Sequence, residues 1–137
     1  MKKLFLTFLI SAALLFVTGC ANQNLTTYSY ADGSGNEYII NETTLEYIPL
    51  EPALSSTGDY DGGEYAEIEI DESEYLSITS LLDGSISNES IHIENRVKMS
   101  GWIEIEQNNK IITSVIIEPD SEAQLQIEEL LQNLLNN

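Results

Sequence analysis

The stretch Trp102-Ile-Glu-Ile-Glu-Gln-Asn-Asn-Lys-Ile-Ile-Thr-Ser-Val-Ile-Ile117 decides how this chain is read. Trp102 to Glu106 alternates apolar and acidic residues, the period of a strand with one buried face. Gln107-Asn-Asn-Lys110 follows, and adjacent asparagines tolerate the positive φ that a tight hairpin turn demands. Ile111 to Ile117 then returns as a run apolar on both faces, with Ile111, Val115 and Ile117 on one and Ile112 and Ile116 on the other. A strand of that kind is expected in the middle of a sheet, covered on both sides.

Working outward, Pro119 and Ser121 open a helix over about 121–135, with Gln124 in the capping-box position. Ala123, Ile127, Leu130, Leu131 and Leu134 form its apolar stripe. The polar face carries Glu122, Glu128 and Glu129 without a cation, so the stripe is expected to pack on a sheet and not on anionic lipid. Upstream, Tyr65 to Ile70 alternates, with Ala66, Ile68 and Ile70 on one face. It runs into a second helix over about 72–83, capped by Asp71 and Glu74 and ended by Gly84. Tyr28, Tyr30, Tyr38-Ile39-Ile40 and Leu45-Glu-Tyr47-Ile48 read as further short strands, with Asp32-Gly-Ser-Gly-Asn36 as a turn. Ile91, Ile93 and Val97 suggest one more, before a bend at Ser100-Gly101. The order of elements predicts a single small α+β domain over 28–137, with a largely antiparallel sheet and two helices.

The beginning of the chain is of another kind. Lys2 and Lys3 precede an apolar run from Leu4 to Phe16, which is closed by Val17-Thr-Gly-Cys20. A positive start, a short apolar centre and small residues at the end are the pattern of a secretory signal, and the run is too short for an ordinary transmembrane helix. With Cys20 directly after Gly19, the segment resembles the lipobox of bacterial lipoproteins. That resemblance implies cleavage of residues 1–19, lipidation of the Cys20 thiol by acyl groups such as palmitate, and a protein held at a membrane of the cell envelope, facing the periplasm or the exterior. Residues 20–27 then read as a polar tether.

Charge narrows the partners. The chain carries 23 carboxylates for a formal net charge of −18. Without Lys2 and Lys3 the remaining cations are Arg96, Lys98 and Lys110. Such a field repels phosphate and excludes nucleic acid as a partner, while favouring a basic partner or a divalent cation. Cys20 is the single cysteine and His92 the single histidine, so neither an internal disulfide nor a zinc site of Cys and His is available.

Candidate sites follow from these residues. Asp59-Tyr-Asp61-Gly-Gly-Glu64 puts carboxylates on a glycine-rich turn inside the longest irregular stretch, 51–64, and is a calcium candidate through Asp59, Asp61 and Glu64. Its spacing departs from a calcium loop, with Gly62 one place early and Ile70 where the closing Glu belongs. A solvated acidic turn is the plainer reading. Tyr60 has no strand to serve and is a candidate partner contact. His92, Glu94, Arg96 and Lys98 would share one face if 91–98 were a strand, and His92 and Arg96 are the other candidate partner contacts. No nucleophile elbow, HExxH, P-loop or dinucleotide glycine pattern occurs, and no catalytic residue is assigned. The expectation is a lipid-anchored, non-enzymatic envelope module that binds a protein or envelope component. A calcium-binding or calcium-stabilised module is the alternative, and a minor hydrolase the second.

Overall fold

The computed structural model describes residues 25–137; the segment 1–19 expected to be a signal peptide, Cys20 and the first part of the expected tether lie outside the described residues. The strands are β1 (Thr26–Ala31), β2 (Glu37–Ile40), β3 (Thr44–Ile48), β4 (Ala66–Glu69), β5 (Gly101–Gln107) and β6 (Lys110–Ile117). The helices are α1 (Glu72–Ser87) and α2 (Glu122–Leu135). All strands join one six-stranded antiparallel sheet in the order β4-β3-β2-β1-β5-β6, so the α+β class read from the sequence holds. The chain lays down a four-stranded meander, crosses the sheet through α1, and adds the β5–β6 hairpin on the far side of β1.

Period-2 alternation sorts each strand into two faces. The inner face is two rows of registered side chains. One runs Val115, Ile103, Tyr30, Tyr38, Tyr47, Ala66, and the other Thr113, Ile105, Tyr28, Ile40, Leu45, Ile68. Ile78 and Leu82 of α1 and Ile127 and Leu131 of α2 close over them to make the core. α2 advances from strand to strand: Glu128 meets Tyr30 of β1, and Gln132, one turn on, meets Tyr38 of β2. A helical pitch of about 5.4 Å against a strand spacing of about 4.8 Å makes that one-turn-per-strand advance natural.

Four sequence expectations are corrected. β1 begins at Thr26, so the last two residues of the expected tether belong to the sheet. α1 runs past Gly84 to Ser87, because Ser85 is buried and Ile86 packs against the core, which outweighs the cost of one glycine. β6 is an edge strand, not a central one: Ile111 and Ile112 are exposed, and a register shift opposite Ile105/Glu106 lets both reach solvent. The segment carrying His92, Glu94, Arg96 and Lys98 is not a strand. It makes one isolated bridge, His92 to Ile117, and then turns, with Met99 at φ 68° and the Ser100 N–H donating to the Val97 carbonyl. These four residues therefore share no strand face.

The local signals in the sequence have visible causes in the structure. Asn108 and Asn109 sit at φ 52° and 62°, as a two-residue turn between right-twisted strands requires. Asp71 Oδ1 accepts from the Glu74 N–H and Glu74 Oε2 from the Asp71 N–H, each at 2.8 Å, completing the capping box. Ser121 Oγ accepts from the Gln124 N–H, whereas the Gln124 side chain reaches back one residue further, to the Asp120 N–H.

Candidate functional site

One end of the sheet is organised by the β1–β2 turn. Asp32 is buried, and its Oδ1 accepts from the backbone N–H groups of Ser34, Gly35 and Asn36 at 2.8–2.9 Å. Its Oδ2 accepts from Asn36 Nδ2 at 2.7 Å. Asn36, also buried, donates from the same Nδ2 to the Tyr60 hydroxyl at 2.8 Å and accepts from the Leu50 N–H through Oδ1. Two side chains thus tie the turn, the end of β3 and the 51–64 loop into one unit. Tyr47 donates to the Gly62 carbonyl and fastens the loop a second time.

A polar cleft of about 410 Å³ lies beside this unit, with Tyr47, Tyr60, Glu64 and Gln132 among its walls. Burial, with Tyr60 and Asp32 close by, pushes the Tyr47 hydroxyl up to about 12. Along the core the same logic repeats. Tyr28 donates to Asp83 and is pushed up to about 12 by burial and that carboxylate. Tyr30 donates to Glu128 at 2.9 Å, and Tyr38 accepts from Gln132 at 2.7 Å; burial holds both hydroxyls in their neutral form well above the ordinary range. Each inward tyrosine buries its ring in the core and hands its hydroxyl to a helix or loop.

The sequence candidates fall apart in space. Asp59 and Asp61 are exposed, and Asp61 Oδ1 accepts from the Gly63 N–H at 2.9 Å as a local turn. Among the described residues no three His, Cys, Asp or Glu side chains gather to hold an ion, and Asp59, Asp61 and Glu64 are not brought together. Tyr60 is half-buried and committed to Asn36. Arg96 reaches the other side of the same turn, 3.4 Å from the Asp32 carbonyl, with its guanidinium carbon 5.5 Å from the centre of the Trp102 ring. His92 is elsewhere: Nε2 donates to the Ser85 carbonyl at 2.9 Å and caps the end of α1. Of the three partner candidates, Tyr60 and Arg96 meet at the β1–β2 turn and His92 does not.

Sequence reasoning missed the outer face of the sheet. Neither helix covers it. Its central row reads Glu67, Glu46, Ile39, Ser29, Glu104, Ser114, and the next reads Ile48, Glu37, Ala31, Trp102, Ile116. Trp102 Nε1–H donates to Ser114 Oγ at 2.8 Å, and the Ser114 hydroxyl donates to Glu104 at 3.0 Å, which fixes the indole and the carboxylate relative to each other. Glu46 and Glu67 stand directly opposite, a like-charge pair that costs stability. The Tyr65 hydroxyl, donating to Glu67, is pushed up to about 12 by that bond first, with Glu46 adding to it. The signal was present in Trp102-Ile-Glu-Ile-Glu106, whose acidic side is as regular as its apolar side.

Comparison with protein-family models, curated proteins and solved structures found no match to this chain.

Proposed function

We propose that this protein is a lipid-anchored module of the bacterial cell envelope that binds a protein or envelope component and performs no catalysis. The carrying observation is the position of β1. Its first residue, Thr26, is six positions after Cys20, and its last, Ala31, leads into the turn that holds the 51–64 loop. Five residues of tether span at most about 18 Å when extended. Lipid on Cys20 would therefore keep the Leu25 end of the sheet close to the bilayer and turn the Asp32 end, with its loop and cleft, outward. Among the described residues no helix is long and apolar enough to cross a membrane.

The test is fractionation of bacteria expressing the full chain or Cys20→Ser, with labelled palmitate and the mass of the mature N-terminus as readouts. The expected result is label and membrane association for the native chain, and loss of both for Cys20→Ser. A Cys20→Ser protein that matures normally and stays with membranes overturns the anchor.

A further inference from the structure

Among the described residues neither helix packs on the outer face of the sheet, and that face has a definite chemistry. Trp102, Ile39, Ile48 and Ile116 supply its apolar floor, and Glu37, Glu46, Glu67, Glu69, Glu104 and Glu106 its charge. The fold tolerates the opposed Glu46 and Glu67 across β3 and β4 without a cation in that row, although an opposite charge at either position would favour pairing. Carboxylates also recur at every second residue along a strand, Glu67 and Glu69 on β4 and Glu104 and Glu106 on β5, a repeat of about 6.6 Å. An extended peptide presents its alternate side chains at the same repeat. The face already holds one cation of its own: Arg96, from the segment before β5, lies on the Trp102 ring.

We infer that this open sheet face is a docking surface for an extended segment of a partner protein that carries Lys or Arg at alternate positions. The inference rests on the reading of the protein as a binding module and names the surface and partner chemistry. Charge complementarity selects the occupant: anionic lipid and nucleic acid are repelled by the same carboxylates, and a second copy of the chain would bring like charges together. The alternating cations would meet the carboxylates of one strand, with cationic or apolar side chains against Trp102 beside Arg96.

Trp102 is the only tryptophan in the chain, so its fluorescence reports on this face directly. The experiment titrates the mature lipidated protein, in neutral detergent micelles, with a synthetic decapeptide of alternating Lys and Thr. A saturable fluorescence change that weakens with added salt is expected. The triple change Glu46→Gln/Glu67→Gln/Glu104→Gln should weaken binding at least about tenfold. Glu51→Gln/Glu89→Gln/Glu129→Gln, which removes the same charge from exposed positions off this face, should change it by less than twofold. Urea midpoints confirm that both variants fold. Equal weakening by the two triples reduces the effect to the overall field and overturns the inference. So does the absence of a saturable change, and so does displacement of the peptide by calcium giving the same fluorescence change, which would make the face a divalent-cation site. The anchor is read separately, by fractionation. A negative titration with an intact anchor overturns this inference alone, and a positive titration on a chain that proves unlipidated overturns the anchor alone.

Discussion

At the scale of single residues, Asp32 organises the end of the sheet at the β1–β2 turn. Its carboxylate satisfies three backbone N–H groups of its own turn and orients Asn36, which in turn holds Leu50 and Tyr60. Asp32→Ala leaves buried donors without acceptors and should cost about 2–3 kcal/mol in urea unfolding, with the loss of Tyr60 ordering visible by NMR. The buried tyrosines set an alkaline limit. An unfolded tyrosine ionises near pH 10; Tyr28 and Tyr47 are pushed up to about 12, and Tyr30 and Tyr38 are raised as well. Because the folded state holds these protons more tightly, their contribution is complete below pH 10 and is lost as pH rises toward 12. Chemical denaturation across pH 8–12 should show stability flat with respect to these groups up to pH 10 and falling beyond it, with phenolate absorbance rising together with unfolding. Early, non-cooperative titration of all tyrosines would contradict the buried hydroxyl bonds.

Elements were legible where a period could be counted and obscure where two distant segments decide. The alternation of Tyr65 to Ile70, the paired asparagines of the hairpin and both helix starts carry their own instructions, and each appears in the fold. The apolar return strand did not, since a run with no polar face says nothing about whether its outer side is covered. Ile112 and Ile116 lie on a face that no helix reaches. Ile91, Ile93 and Val97 likewise suggested a strand that the backbone declines after one bridge, because the Arg96 contacts with Asp32 and Trp102 and the left-handed Met99 draw the chain over the top of the sheet. The same distance problem hid the site: Asp32-Gly-Ser-Gly-Asn36 reads as a turn, but nothing local says that Tyr60 belongs to it. For α2 the apolar stripe makes a sharp division. Leu131→Ala, at a fully buried core position, should cost about 2–5 kcal/mol, whereas Leu125→Ala, on the exposed side, should leave the urea midpoint nearly unchanged. Equal effects would mean that α2 docks through a different face.

At the scale of the described molecule, α1 and α2 cover one side of the sheet and not the other, and the strand order has a consequence for how the fold can be made. β1 is the first of the described strands and yet lies in the interior of the sheet, between β2 and β5. The meander gives it one partner within a few residues. Its other partner arrives only with β5, and the Thr26–Gln107 contact joins positions 81 apart. Closing so long a loop is entropically costly and slow relative to hairpin formation. If the chain is exported from its N-terminus, as proposed above, β1 would present a raw edge for most of the passage. Tyr30, whose hydroxyl is taken by Glu128, would wait for that partner until α2, the last described element, arrived. In an exported chain completion of the fold would be tied to completion of export, and a product cut short before β5 would have the centre of its sheet unguarded.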